Sequence, residues 1–315
     1  MGQDGAMTVA ALDPPSISTV WRPGQPVNIH ATLGPLVRGD GDPTHRRTAD
    51  GVFWRCCRTS RGPATIALQA RGAAVHATAW GAGAEWAIES VPDLLGARDN
   101  VTDFAPEHPL LQRVHAAYPG LRIPRTGLVF DTLVPTVLEQ KVTGIEARRS
   151  WRELLWRYAE PAAGPAPKGM RVPPDVHTWS RIPSWEWHRA GVDGSRSATI
   201  VRAARSAGRL EEATAMSSAD ALGRLRALPG IGAWSAAEVA QRALGDADAV
   251  SVGDLHIPRL VGWALVNRPL DDDGMLELLA AYAPHRHRVV RLVELSGVRI
   301  PKFAPRYAAR DIRGL

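Results

Sequence analysis

LRALPGIGAWSAA, residues 225–237, is the segment from which the architecture of this chain can be inferred, and VGDLHIPR, residues 252–259, follows it closely. Leucines recur at helical spacing in the first part of the longer segment. Pro229-Gly230 ends that helix, and a second helix is predicted from about Ala233 to a C-terminal cap at Gly245. The pattern therefore predicts a helix, a glycine hairpin, a second helix and then a lone carboxylate.

The hairpin has the features of a phosphate-binding turn. Gly230 and Gly232 flank Ile231, so the backbone can turn sharply and approach another molecule without a Cβ in the way. The first amides of the second helix have no helical partners, and the positive end of the helix dipole lies there. Such a helix start binds phosphate, which makes Leu228, Gly230, Ile231, Gly232 and Ala233 candidate contacts to a nucleic-acid backbone. The alternative is an ordinary helical hairpin whose glycine turn only packs.

Composition narrows the class of protein. The 315 residues include 38 Lys and Arg against 32 Asp and Glu, and the net charge of +6 suits a polyanionic partner. Cys56 and Cys57 are adjacent, which excludes a four-cysteine metal site and a disulfide framework and fits a reducing cytoplasm. No apolar run is long enough to cross a membrane, and residues 1–18, which lack a signal-peptide pattern, are expected to form a flexible leader. No cofactor is expected.

The N-terminal third has the period of two that is typical of strands. Apolar residues alternate with polar or small ones over 27–33, and again over 65–70 and 75–80 on either side of a glycine-containing turn, which predicts a hairpin. Residues 38–50 lack this alternation and, being rich in Gly, Asp and Pro, are expected to form an exposed loop. Residues 19–105 are thus predicted to form a small antiparallel α+β domain.

Farther along the chain the periodicity is helical. One helix is predicted over 130–139, and TGIE at 143–146 has the spacing of a capping box that opens the next helix. A short junction is left between these two helices: Gln140, Lys141 and Val142. The alternative is that this junction is an ordinary solvated turn. Residues 161–175, rich in Pro, Gly and Ala, are expected to form a linker loop across the helical region.

The hairpin and the carboxylate after it resemble the corresponding segment of the helix-hairpin-helix DNA glycosylase superfamily, in which a Gly/Pro-rich loop and an aspartate follow the hairpin. Within that superfamily the chain is most similar to the AlkA-like, or 3-methyladenine DNA glycosylase II, type. VPDLLG at 91–96 and HPLL at 108–111 resemble its interdomain segment, and VLEQKVT at 137–143 resembles its loop at the DNA-facing helix junction. The resemblance implies a mainly α helix-hairpin-helix glycosylase fold with an N-terminal antiparallel α+β domain.

The resemblance also implies a domain plan and a partner. A helical glycosylase region would occupy residues 106–315, with the hairpin at 217–245 and the catalytic loop at 246–260. The partner would be double-stranded DNA that contains a damaged base, and the enzyme would act in base excision repair as a monomer in the nucleoid-containing cytoplasm. No membrane contact is expected.

The resemblance makes Asp254 the catalytic carboxylate of a DNA N-glycosylase. Cleavage of an N-glycosidic bond passes through a sugar with oxocarbenium character, which a nearby anion stabilises more than it stabilises the ground state. The same carboxylate could orient or deprotonate the attacking water, and the alternative role for Asp254 is a helix N-cap. Strand-nicking members have a lysine nucleophile two residues beyond the second hairpin glycine, where this chain has Trp234. A monofunctional enzyme without lyase activity is therefore expected.

Further DNA contacts follow from the same resemblance. Gln140, Lys141 and Val142 would fill the gap left by the extruded nucleotide, and Lys141 stands where a larger apolar residue is usual. Arg196, near the helix start that precedes the hairpin, is either a phosphate contact or a solvated arginine. Three hairpin carbonyls are candidate ligands for a monovalent cation, those of Arg226, Leu228 and Ile231.

Trp234 is the candidate wall of a base pocket, because an indole stacks on an extruded base and attracts a cationic alkylpurine by roughly 0.5–2 kcal/mol. Glu238 and Glu294 stand where the family pattern has aromatic residues and are assigned to the same pocket. They either favour a cationic base or bind the amino edge of a different lesion, and Glu238 could instead pair with an arginine. Damaged, alkylated purines are the expected substrate. A glycosylase for a deaminated or oxidised base and a non-catalytic DNA damage-binding protein are the alternatives.

Overall fold

The computed structural model of the chain describes residues 15–301 and 311–313. Most of the expected leader, residues 1–14, lies outside these ranges, and its last residues, 16–18, are the start of the first strand. The strands are β1 (Ser16–Trp21), β2 (His45–Arg47), β3 (Phe53–Thr59), β4 (Gly62–Arg71), β5 (Ala74–Trp80), β6 (Glu160–Pro161) and β7 (Arg171–Val172). The α-helices are α1 (Ile29–Leu33), α2 (Ala84–Glu89), α3 (Val91–Leu94), α4 (Pro109–Ala117), α5 (Val129–Leu138), α6 (Gly144–Tyr158), α7 (Val176–Arg181), α8 (Ser184–Arg189), α9 (Gly194–Arg205), α10 (Ala207–Glu211), α11 (Ser218–Arg226), α12 (Ala233–Val239), α13 (Ile257–Leu265), α14 (Asp272–Ala280) and α15 (Arg286–Leu295). A π-helical turn, Ala240–Leu244, continues α12.

Five strands form one antiparallel sheet in the order β1-β5-β4-β3-β2. The predicted hairpin within it is confirmed, because β4 and β5 pair up to Arg71 opposite Ala74, with Gly72 at a left-handed φ of +59° in the turn. Side chains of α1, α2 and α3 pack on one face of the sheet and form an apolar core with it. The N-terminal part of the chain therefore has its own core.

The two cysteines point to opposite faces of β3, as adjacent residues of a strand must. Cys57 lies in the core between the sheet and its helices, whereas Cys56 packs against Met170 and Val172. Both are free thiols, and burial raises the pKa of Cys56 to about 12 and that of Cys57 to about 11. Neither thiol is therefore a nucleophile at neutral pH.

Residues 27–33 form no strand, so the expectation from their alternation is wrong. Asn28 caps α1 by accepting the amide of Ala31 at 3.0 Å. Ile29 and Leu33 face the core of the sheet, whereas Ala31 faces a second core formed by α4 and the last three helices. Because a short helix between two cores is buried on several sides, its apolar residues do not follow the period of a single face.

Residues 38–50 are also not the exposed loop that their composition predicts. Asp42 is 1% exposed, and it accepts the amide of Arg38 at 2.7 Å and the indole N–H of Trp151 at 3.1 Å. Burial opposes ionisation of Asp42, but hydrogen bonds from His45 and from backbone amides outweigh it and lower its pKa. Trp151 is 109 residues away in the chain, so local composition could not have predicted this burial.

Residues 161–175 likewise contain more structure than the expected linker. β6 and β7 pair in antiparallel fashion, and β3 and β4 contact β7. Met170 and Val172 are buried against Cys56 of β3. The segment therefore packs on the N-terminal sheet and is not a free loop across the helices.

In the described part of the chain, the helices bury two further large cores. The larger is formed by α5–α12, and the other by α4 together with α13–α15. The helix predicted over 130–139 is α5, and the predicted capping box at the start of α6 is confirmed, with Thr143 and Glu146 bonding each other's backbone. The loop between Leu244 and α13 joins the two cores, so the hairpin and the carboxylate after it lie where these cores meet.

Candidate active site at the helix-hairpin-helix

The hairpin between α11, which ends at Arg226, and α12, which begins at Ala233 as predicted, needs its first glycine. Gly230 has a φ of +97°, and a Cβ there would lie 2.2 Å from Oγ1 of Thr199 on α9. The amide of Ile231 closes the turn by donating to the carbonyl of Leu228 at 3.0 Å. Gly245 ends the second helix in the left-handed conformation, as predicted.

The outer side of the turn presents free backbone donors. Gly232 and Ala233 are exposed, and Gly232 is the N-cap of α12 without a side-chain cap. Within residues 15–301 and 311–313, the amides of Gly232, Ala233 and Trp234 donate to no other group. Unpaired amides at a helix start can bind a phosphate oxygen.

Asp254 lies beside this turn and is held from two sides. Its Oδ1 accepts the amides of His256 at 2.7 Å and Ile257 at 2.9 Å, at the start of α13. Its Oδ2 accepts the indole Nε1–H of Trp234 at 2.9 Å, from the first turn of α12. Both Asp254 and Trp234 are half-buried. A carboxylate can accept about four hydrogen bonds, so this one is oriented by three donors and can still accept another.

Glu238 lies on α12, and both of its carboxylate oxygens have partners. Oε1 accepts the hydroxyl of Ser251 at 2.5 Å, and Oε2 lies 2.8 Å from Nη1 of Arg242. The side chains of Glu238 and Arg242 are 12% and 14% exposed. Arg242 therefore neutralises the Glu238 carboxylate, which is the arginine pairing that the sequence analysis left open as an alternative. The place of Glu238 in a base pocket stays a prediction.

The junction between α5 and α6 is fastened to the hairpin by Gln140. Its Nε2 donates to the carbonyl of Gly230 at 3.0 Å and to Oγ of Ser235 at 2.7 Å. Lys141 is exposed at a left-handed φ of +55°, and Val142 is half-buried. The structure thus brings the predicted junction residues next to the predicted phosphate-binding turn.

Arg196 is placed in the interior and not at a surface that could meet a phosphate. It is 5% exposed, and its guanidinium donates to Asp193 at 2.6 Å, to the carbonyl of Leu138 at 2.8 Å and to that of Gly191 at 3.2 Å. These bonds fasten the start of α9 to the end of α5. Arg196 therefore holds the junction in place, and the expectation of a direct phosphate contact or a solvated side chain is corrected on that ground.

Glu294 is not brought to the other site residues. It is on α15 and pairs with Arg291 one turn earlier, whose guanidinium also donates to the carbonyl of Ala31. In the described part of the chain, no hydrogen bond or ion pair joins Glu294 to Asp254, Trp234 or Glu238. Its assignment to the base pocket gains no support from this geometry.

The three hairpin carbonyls that were assigned to a monovalent cation keep free acceptor capacity. Within the described ranges the carbonyls of Arg226 and Ile231 accept no hydrogen bond, and that of Leu228 accepts only the turn amide. The carbonyls of Pro229 and Gly230 are instead taken by Arg202 and Gln140. Hard carbonyl oxygens suit such a cation. Among the same residues, no three His, Cys, Asp or Glu side chains are grouped as metal ligands.

Sequence reasoning missed several residues that organise the site. Gln241 bonds Ser251 in the loop before α13, Ser251 and Arg242 bond Glu238, and Arg202 bonds the hairpin. The Glu238–Arg242 spacing of four residues on a helix is a recognisable ion-pair signal. The other contacts join residues 10, 13 and 27 positions apart and leave no local pattern.

Two further findings bear on the surface of the molecule. A cavity of about 510 Å³ beside Trp21, Arg98 and Asn100 is lined by none of the predicted site residues. In the described ranges, no helix combines the length and the apolar character that crossing a bilayer requires.

Proteins of known structure share this fold. The chain superimposes on a 3-methyladenine DNA glycosylase from Archaeoglobus fulgidus with a TM-score of 0.72 at 15% identity, over 88% of this chain and 98% of that one. It superimposes on MBOgg1, solved with a low-affinity DNA ligand, with a TM-score of 0.70 at 15% identity, over 89% and 95% of the two chains. It superimposes on an 8-oxoguanine glycosylase/lyase from Clostridium acetobutylicum with a TM-score of 0.69 at 12% identity, over 91% of this chain and 97% of that one. No protein-family model and no curated protein matches the sequence. The chain therefore has the fold of the helix-hairpin-helix DNA glycosylases, as predicted.

Proposed function

We propose that this chain is a monofunctional DNA glycosylase of the AlkA-like type that hydrolyses the N-glycosidic bond of damaged, alkylated purines in duplex DNA, as a step of base excision repair. The observation that carries the proposal is the hydrogen bond between Trp234 and Asp254, 2.9 Å long, beside a glycine hairpin with free amides. It joins a candidate base-stacking surface, a fixed carboxylate and a phosphate-binding turn in one place.

The hairpin would hold the DNA strand. The free amides of Gly232, Ala233 and Trp234 would donate to a phosphate, and the carbonyls of Arg226, Leu228 and Ile231 would hold a monovalent cation that adds positive charge there. Gln140 keeps the hairpin next to the junction. The strand would therefore be fixed relative to Asp254 without any reading of base sequence.

Asp254 would stabilise the developing oxocarbenium ion and orient the water that attacks it. Its carboxylate is fixed by three donors before substrate binds, and such preorganisation is where most electrostatic catalysis arises. A cationic alkylpurine is a good leaving group, so little acid catalysis is needed. No lysine stands at position 234, so water is the nucleophile and no Schiff base forms.

The extruded base would stack on Trp234, whose indole is already oriented by Asp254. Stacking recovers part of the few kcal/mol that unstacking a nucleotide costs. The exposed Lys141 and its neighbours Gln140 and Val142 would occupy the gap in the duplex. Lys141 would add a phosphate or base contact at that point in place of an apolar wedge.

One observation favours a second substrate class. The Glu238–Arg242 ion pair removes a free anion from the neighbourhood of Trp234, and a free anion would have favoured a cationic base. A neutral lesion, such as a deaminated or oxidised base, is therefore the second candidate.

The proposal is tested with duplexes that each carry one defined lesion. We expect the purified protein to release an alkylated purine and to leave an abasic site that hot alkali cleaves, with no cleavage before alkali. Borohydride added during the reaction should trap no covalent adduct. Binding without base release across the whole panel would contradict the enzyme and support a damage-binding protein, and a trapped adduct would contradict the water nucleophile.

A further inference from the structure

Glu238 is tied to the loop that carries Asp254. The hydroxyl of Ser251, three residues before Asp254, donates to Oε1 of Glu238 at 2.5 Å. The amide of Asp254 in turn donates to the carbonyl of Ser251 at 3.3 Å. Ser251 thus accepts the amide of Asp254 with its carbonyl and donates its side-chain hydroxyl to Glu238.

Ser251 has a second partner on the same helical segment. Nε2 of Gln241 donates to Oγ of Ser251 at 2.9 Å and to the carbonyl of Ala249 at 2.8 Å. Ser251 and Gln241 are 5% and 3% exposed. The loop before α13 is therefore held to α12 and its π-helical turn by hydrogen bonds between buried groups, which are stronger and more specific than hydrogen bonds at the surface.

Arg242 fixes Glu238 from the other side. Its Nη1 bonds the Glu238 carboxylate at 2.8 Å, and its Nε donates to the carbonyl of Pro35 at 3.0 Å. Its own carbonyl accepts the amide of Thr126 at 2.9 Å. The ion pair is thereby linked to the segment after α1, which belongs to the N-terminal part of the fold.

We infer that Glu238 is a positioning residue, an inference that rests on the proposed function. Arg242 holds the Glu238 carboxylate, and this carboxylate fixes the loop of Asp254 through Ser251. Glu238 does not contact the base. Its two oxygens are occupied and its charge is neutralised, so it has little to offer an extruded nucleotide. Trp234 fixes the carboxylate of Asp254 directly, and Glu238 fixes the backbone that carries it.

Loss of the Glu238 carboxylate should displace the loop that carries Asp254. Glutamine in its place keeps the shape of the side chain and an acceptor oxygen for Ser251, but it leaves Arg242 without its counter-charge, and breaking a buried ion pair by removing one charge is costly. A displacement of about 1 Å at a reacting group costs on the order of 100-fold in rate. We therefore expect the chemical step to suffer and DNA binding to persist.

The test compares Glu238→Gln, Ser251→Ala and the double variant with the wild type. Glu153→Gln is the matched control, because Glu153 pairs with Arg157 at the same i,i+4 spacing but on the exposed face of α6. Three quantities are measured: the single-turnover rate of base release, the Kd for a lesion duplex, and amide hydrogen exchange of residues 251–257.

For Glu238→Gln we expect a rate lower by about 10- to 100-fold, a Kd within about two-fold of the wild type, and faster exchange over 251–257. Ser251→Ala should show the same pattern more weakly, because Arg242 and Glu238 stay paired. The double variant should lose little beyond Glu238→Gln, because both changes act on the same link: the amide oxygen of glutamine is a weaker acceptor than the carboxylate, and alanine removes the donor. The control should match the wild type in all three quantities.

Three results would overturn the inference. The first is a rate of base release within about two-fold of the wild type for both single variants, and the second is unchanged amide exchange over 251–257. The third is a change in lesion preference with the rate otherwise kept, which would mark Glu238 as a base contact. Ser251→Ala decides the matter if Glu238→Gln fails to fold. Absence of base release by the wild type defeats the proposed function instead, and the exchange measurement then still supports or refutes the positioning role.

Discussion

Nε1 of Trp234 donates a hydrogen bond to Oδ2 of Asp254, and this bond of 2.9 Å connects two residues that are 20 positions apart. Trp234 belongs to the first turn of α12, which packs in the core of α5–α12. Asp254 precedes α13, which packs in the core of α4 and α13–α15. The two helical cores are therefore joined at the candidate reaction centre, and the indole there has a polar edge to orient the carboxylate and an apolar face for stacking.

The substitution Trp234→Phe separates these two roles. A phenyl ring would still stack on a base but could not donate to Asp254, and a hydrogen bond to a charged group contributes about 1.5–3 kcal/mol. We expect the single-turnover rate of base release to fall roughly tenfold or more, with DNA binding kept. A rate equal to that of the wild type would show that the indole N–H does not position Asp254.

The two hairpin glycines should respond differently to alanine. Gly230→Ala places a Cβ 2.2 Å from Oγ1 of Thr199 at a φ of +97°, so we expect a loss of about 1–3 kcal/mol in the free energy of unfolding. Gly232→Ala meets nothing within 4 Å and should leave thermal stability unchanged. Because Gly232 lies on the side of the free amides, its replacement by alanine should weaken DNA binding. Equal Kd values for Gly232→Ala and the wild type would remove the hairpin from the DNA interface.

Lys141 tests whether the junction contacts DNA. It is exposed at a left-handed φ of +55°, a conformation that glycine adopts without strain. Lys141→Gly should therefore leave the melting temperature unchanged or raise it, while the plot of log Kd against log salt loses about one unit of slope. An unchanged slope would place Lys141 away from the phosphates.

Asp131 gives the fold a pH dependence of known sign. Burial raises its pKa to about 6, with Glu211 adding to the effect and Arg55 and Arg58 opposing it. At a pH between the unfolded pKa of 3.8 and the folded pKa of about 6, the Asp131 carboxyl is deprotonated in the unfolded chain and protonated in the folded chain. The contribution of Asp131 to stability therefore falls as the pH rises through that window and is constant above it. Asp131→Asn should show a smaller fall. Parallel melting-temperature curves for the two proteins from pH 4 to 7 would contradict this.

Local chemistry accounts for what the sequence could predict. The capping box of Thr143 and Glu146, the cap at Gly245 and the turn at Gly72 depend on a few adjacent residues, and each is found where expected. The position of Asp254 relative to the hairpin was expected from the family resemblance of residues 225–259 and not from local chemistry.

The features that sequence reasoning missed depend on partners far away in the chain. Asp42 is buried because Trp151 reaches it from α6, and Arg196 is buried because Leu138, 58 positions away, offers it a carbonyl. The segment 27–33 is a helix because it lies between two cores. None of these causes leaves a periodic signal in the neighbouring residues. Composition and alternation therefore gave the wrong expectation for 38–50 and 27–33, and the family resemblance gave it for Arg196.

The most direct test of catalysis at Asp254 is the single-turnover rate of base release by the wild type and by Asp254→Asn, on the lesion that the wild type processes best, with the Kd of both for the same duplex. Asparagine can still accept the amides of His256 and Ile257, so the start of α13 should be preserved. We expect the variant to bind DNA within a few-fold of the wild type and to release base at least 100-fold more slowly, as loss of a preorganised electrostatic group predicts, by about 10²–10³. Base release by Asp254→Asn at the wild-type rate would show that the reaction does not depend on this carboxylate.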